Sequence, residues 1–111
     1  MNRLQSYIEF GRQSMSHIPQ QELVLPYLLT GLSSEVGEVL GEYKKYLKNQ
    51  TEENAKHRAD NMKAELGDVL WYLVRTIDHL GYTVEELMDL NQDKLTKRLA
   101  ERAKKRAAQV A

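Results

Sequence analysis

Between Asn61 and Leu80 the chain places apolar side chains at almost every angle of a helical wheel: Leu66, Val69, Leu70, Trp71, Leu73, Val74 and Ile77. A single stripe is left to other groups, and it reads Glu65, Asp68, Tyr72, Arg75 and His79, three or four residues apart. Only an α-helix gathers that spacing onto one side. A helix apolar around most of its circumference must be covered from several directions. The rest of the chain has to supply the cover.

It offers three more helices. The first spans roughly Asn2 to Ser14, with Leu4, Ile8 and Met15 on one side, and gives way to the turn-prone Ser16-His17-Ile18-Pro19. The second is expected from near Pro26, suited to a first helical turn, to about Lys48. Asn49 to Ala59 is polar without an apolar period and reads as a loop. The third helix stops at Gly81, and Thr83 with Glu86 forms a capping box that opens a fourth, to about Arg106. No segment alternates as a β-strand would. The expected fold is all-α, a four-helix bundle; 111 residues amount to one domain, 1–111, with a basic helix end from about residue 100.

Composition narrows the function classes. Without cysteine there is no disulfide scaffold, no thiolate metal site and no thiol nucleophile, and a cytoplasmic setting is expected. Sixteen basic and sixteen acidic residues leave a net charge of +0, unlike a general nucleic-acid binder. From Lys94 to Arg106, however, seven basic residues meet one acid, so the preceding chain carries the matching negative excess. No uninterrupted apolar run approaches the roughly 20 residues that span a bilayer, so no membrane partner is expected.

That negative excess is organised. On the second helix Leu28, Leu32, Val36, Val39, Leu40, Tyr43, Tyr46 and Leu47 share one sector, and Glu35, Glu38, Glu42 and Lys45 the next. A charged sector beside an apolar one is, alone, ordinary surface. The third helix alters that weighting, because carboxylates on a largely apolar helix are costly unless paired or bound to a cation. Glu35-x-x-Glu38 and Glu65-x-x-Asp68 each set two carboxylates one turn apart, and antiparallel packing would bring the four together. All-oxygen donors suit a hard cation, Mg²⁺ first and Mn²⁺ second. His17, His57 and His79 do not supply the Glu-x-x-His pairs of a di-iron bundle.

The fourth helix carries the complement. Asn91 sits within the arc of Val84, Leu87, Met88, Leu95 and Leu99, with Lys94 and Arg98 beside it. Together with Lys45 they form a candidate anion-binding set. Acids that hold a metal opposite basic groups are what a metal–polyphosphate substrate requires. Two other classes compete with that reading. One is a non-catalytic helical interaction module with a solvated acidic face; the other is a nucleic-acid protein using the basic tail.

In the stretches GLSSEVGEVLGEYKK, AELGDVLWYL and LGYTVEELMDLNQDKLTKR, the sequence resembles the MazG-like all-α nucleoside triphosphate pyrophosphohydrolases, from about Leu4 to Arg102. Ser34 stands where the strict pattern has the first of two glutamates. The resemblance implies Glu35, Glu38, Glu65 and Asp68 as Mg²⁺ ligands, Asn91, Lys94 and Arg98 as phosphate or sugar contacts, and Tyr72 beside the phosphates. It implies hydrolysis of a (deoxy)nucleoside triphosphate to monophosphate and pyrophosphate, with Glu38 or Glu35 in the catalytic role and Glu38 preferred as proton acceptor. It also implies a homodimer or homotetramer, with which the apolar circumference of the third helix independently agrees. No specific nucleic acid is expected. Tyr7, Phe10, Tyr27, Trp71 and the Ser14–His17 turn are candidates for a base slot, although aromatics at helical spacing are more often core.

Overall fold

Polar caps mark the starts of three helices in the computed structural model, which describes residues 1–15, 17–18 and 20–110. Among them are four helices and no strand: α1 (Arg3–Ser14), α2 (Gln21–Lys48), α3 (Glu52–His79) and α4 (Val84–Val110). The protein is all-α, as expected. Of the turn expected at residues 16–19, Ser16 and Pro19 lie outside the described residues. Asn2 and Gln5 close a capping box on α1, and Thr51 caps α3 by accepting a hydrogen bond from the Asn54 amide at 3.1 Å. The expected box at Thr83 and Glu86 is present, at 3.1 and 2.6 Å, and Gly81 takes φ +82°, open to glycine at little cost.

Two boundaries differ from expectation. α2 begins at Gln21, so Pro26 stands inside the helix rather than at its start. The added turn carries Val24 into the core, and that burial offsets the hydrogen bond a proline cannot donate. The loop expected over 49–59 is helical from Glu52 onward. Polar contacts hold it there. The Asn54 amide donates to the Asn49 carbonyl at 2.6 Å, and the Arg58 guanidinium donates to Glu42 at 2.8 Å. Apolar periodicity could not reveal a segment anchored by side-chain hydrogen bonds.

The chain divides into two compact units, Met1–Leu80 and Gly81–Ala111. In the first, facing pairs step down α2 as they step up α3: Gly31 with Tyr72, Glu35 with Glu65, Glu42 with Asn61. The two helices are therefore antiparallel. α1 runs parallel to α3, since Ile8 meets Arg75 and Arg12 meets Asp78. The core is small: Val24 and the fully buried Leu28 from α2 meet Val74 and Ile77 from α3. Leu66, Leu70 and Leu73 are about half exposed, so α1 and α2 do not cover α3 all round. In the second unit, α4 carries no buried residue.

By length and composition alone α2 is long and apolar enough to cross a membrane, a point that counting uninterrupted apolar runs misses. A helix of a soluble core passes the same test. Here α2 packs on α3, and the side that meets α3 itself carries Glu35 and Glu42.

A buried ion-pair knot ties α1 to α3. The Arg75 side chain, 6% exposed, donates to the Ile8 carbonyl at 3.1 Å and to Asp78. Arg12 donates to the same carboxylate at 2.7 and 2.9 Å. Hydrogen bonding from Arg12 leads the effects that hold Asp78 down at about 2; burial opposes it, and Arg75 adds to it. With the folded value below the ordinary 3.8, the contribution is full above about pH 4 and is lost as pH falls through about 2. It amounts to roughly 2 kcal/mol. Urea unfolding at pH 5, 3 and 2 should show that loss in the wild type and a flatter response in Asp78→Asn.

Candidate metal and phosphate site

Two turns towards the N-terminus of α3 from that knot, Asp68 and Glu65 stand on the side facing Glu35 of α2. One carboxylate oxygen from each of Glu35, Glu65 and Asp68 lies within 4.8 Å of the others. Glu35 and Glu65 are half-buried and Asp68 is exposed. The cluster thus opens to solvent, where an apolar α3 had led us to expect buried acids. Burial, then a hydrogen bond with Glu35, then the charges of Glu35, Asp68 and Glu38 raise the Glu65 carboxyl above its usual range. Three carboxylates this close want positive charge between them. The donors are all oxygen, which fits a hard divalent cation and gives no preference to a soft metal.

Glu38, the fourth acid singled out from the sequence, is not within this triad, although its charge acts on Glu65. It is exposed, one turn along α2 from Glu35. Glu42 continues the same sequence stripe but has a structural task. It is 7% exposed, and it accepts from Arg58 at 2.8 Å and Asn61 at 3.4 Å, with the Lys45 ammonium at 3.6 Å. Burial would raise its pKa, but Asn61, Lys45 and Arg58 together bring it below the usual carboxylate range. The Lys45 side chain is 63% exposed, with its ammonium beside Glu42.

Tyr72 lies next to the acids, between Tyr27 and Trp71, with ring centroids 6.2 and 5.0 Å away. The Tyr27 hydroxyl is the main cause, followed by burial and the charges of Glu35 and Asp68, of a Tyr72 pKa pushed up to about 12. It therefore stays a neutral phenol at any physiological pH. His17 supports this group. Its Nδ1 lies 3.2 Å from the Ser14 carbonyl, which can only accept, so Nδ1 donates there, and Nε2 lies 3.3 Å from the Tyr27 hydroxyl. On α1, Tyr7 is raised by burial and by the charge of Asp68, while Arg3 opposes both. Of the base-slot candidates, Tyr27 and Trp71 pack against Tyr72, and Phe10 is exposed.

Tyr72 reaches this place because Gly31 lets the helices close. A Cβ on Gly31 would meet the Tyr72 ring at 2.1 Å. A fixed ring cannot yield as a flexible side-chain end would. Gly31→Ala should therefore destabilise the first unit by about 1–3 kcal/mol despite its better helix propensity. Urea unfolding would measure it, and an unchanged midpoint would deny the close packing.

Asn91, Lys94 and Arg98 lie on α4, in the second unit, all exposed. They follow one another at spacings of three and four, which keeps them on one side of that helix.

Comparison with known proteins adds the family. The model of the MazG nucleotide pyrophosphohydrolase domain matches residues 24–103, which include both acid pairs and Asn91, Lys94 and Arg98. Over 74 residues the chain is 32% identical to the Gene 37 protein of Mycobacterium phage L5, a match covering 67% of this chain and 65% of that protein. The matched region thus spans just under two thirds of that relative. No solved structure matches the chain significantly. With a family match over most of its length, the chain belongs to the MazG nucleotide pyrophosphohydrolase domain family.

Proposed function

We propose that the protein is a Mg²⁺-dependent pyrophosphohydrolase that converts a (deoxy)nucleoside triphosphate to its monophosphate and pyrophosphate. The observation that carries this is the convergence of Glu35, Glu65 and Asp68 from two antiparallel helices. These three carboxylates would hold Mg²⁺, with Mn²⁺ as substitute. A bound divalent ion neutralises phosphate oxygens and makes water more acidic. Glu38 would accept the proton from the attacking water; the water oxygen bonds to one phosphorus of the α–β bridge, that phosphorus's bond to the bridging oxygen breaks, and monophosphate and pyrophosphate separate. Tyr72, held as a neutral phenol, donates a hydrogen bond to a phosphate oxygen. Asn91, Lys94 and Arg98 contact phosphate or sugar through charge-assisted hydrogen bonds. We take residues 1–111 as one functional domain, because the family match runs across the boundary between the two compact units.

The half-exposed stripe of Leu29, Val36 and Leu40 on α2 with Leu66, Leu70 and Leu73 on α3 supports a homodimer or homotetramer. Light scattering at micromolar concentration should report at least a dimer; a stable monomer would remove that part of the proposal.

The activity is tested by incubating the protein with each nucleoside triphosphate and its deoxy counterpart plus Mg²⁺ and following pyrophosphate. Release that stops on chelation and falls steeply in Glu38→Gln is expected. Orthophosphate as the sole product would mean a different phosphohydrolase. Inertness equal to that of the variant would favour an interaction module.

A further inference from the structure

A cavity lies two turns of α3 away from the acids, roughly 10 Å along the helix from Asp68 to Arg75. It encloses about 270 Å³ and is lined by Arg12, Met15, Ile18, Gln21, Val24, Leu28, Arg75 and His79. That size is just below the roughly 300–1,000 Å³ of ordinary small-molecule sites, so an occupant would be small. Its walls are of two kinds. Met15, Ile18, Val24 and Leu28 give an apolar floor; Arg12, Arg75, Gln21 and His79 give polar groups.

Among the described residues, none that lines the cavity is acidic. The acids nearby, Asp78 and Glu9, contact the guanidinium groups without lining the cavity, and Glu9 reaches Arg12 only at 3.5 Å on an exposed helix turn. Among the described residues the buried Arg75 guanidinium meets the Ile8 carbonyl and Asp78, which use two of its five N–H donors. The Arg12 side chain is 57% exposed, so it can turn from Asp78 towards a ligand while Asp78 keeps Arg75. An apolar floor with two guanidinium groups is complementary to an anion carried on a short apolar body. We propose that this cavity binds a small organic anion, a phosphomonoester or carboxylate with an apolar body, separately from the metal and phosphate site.

Phenyl phosphate is the probe, titrated without divalent cation while the side-chain methyl resonances of Met15, Ile18, Val24 and Leu28 are followed by NMR. Saturable shifts are expected, with inorganic phosphate and phenol each at least ~5-fold weaker, because each supplies half of the complementarity. Arg12→Gln should weaken phenyl phosphate by ~5-fold or more. Met15→Trp, which fills the cavity without changing charge, should abolish the shifts while circular dichroism stays helical. Asp68→Asn should leave the titration unchanged. An equal response to inorganic phosphate would reduce the site to surface charge, and an equal response to phenol to an apolar slot. Either result, or shifts that survive both cavity variants, overturns the proposal. Loss of binding in Asp68→Asn would assign the probe to the acidic cluster and overturn it too. The outcome is independent of whether the protein hydrolyses nucleotides.

Discussion

Asp68→Asn is expected to lower the rate of pyrophosphate release at least ~100-fold at fixed Mg²⁺ while the chain stays folded. The substitution keeps the size of the side chain and removes one of three charges that meet within 4.8 Å. An amide oxygen is a far weaker partner for a divalent ion than a carboxylate, so affinity for the ion falls. Higher Mg²⁺ should then restore part of the rate, which a purely structural role would not allow. The fold should survive because Asp68 is exposed and its charge adds to the strain that raises the Glu65 carboxyl. Circular dichroism and the Mg²⁺ dependence of turnover check both halves. A wild-type rate would remove Asp68 from the site. A collapse of helicity would mean that the acids stabilise the chain rather than burden it.

The second large effect concerns stability. Asp78→Asn should destabilise the first unit by roughly 3 kcal/mol, the low end for breaking a buried pair, since the Asp78 side chain keeps 17% exposure. It would leave the Arg75 guanidinium, 6% exposed, without its compensating carboxylate in the interior, and would also cut the tie from Arg12 to α3. For a unit of this size the melting temperature should fall by about 12 °C or more. Replacing Arg12 instead should cost far less, because Arg12 is exposed and Asp78 keeps Arg75. Calorimetry on the two variants gives the ordering. Equal losses would mean that the pair contributes through the surface contact alone.

Much of this was legible before any coordinates. The 3.6-residue period from Leu28 to Leu47 and from Leu66 to Ile77 dictates helices. Thr83 with Glu86, and Gly81, fix a helix start and stop because caps are local hydrogen bonds and a local backbone angle. Glu35-x-x-Glu38 and Glu65-x-x-Asp68 each define one helix face, since a helix turn is a property of the segment. The residues that join segments were not legible. Arg58 looked like part of a polar loop and Asn61 like the start of a helix, yet both bond to Glu42, 16 and 19 positions away, and lock the α2–α3 hairpin. Gly31 gave no sign that it stands against Tyr72.

What the sequence alone determined, then, is the helical class, the family pattern and the pairing of acids on each helix, all of which depend on neighbours within one or two turns. The tertiary structure alone decided that Glu35 joins Glu65 and Asp68 while Glu42 goes to Arg58. It also decided that Arg75, on the same helical stripe as Glu65, is the buried half of an ion pair. The reason is physical. A helical period says which way a side chain points, but the register between two helices says what it meets, and that register is set by the fit of Gly31 to Tyr72 and of Gly11 to Arg75.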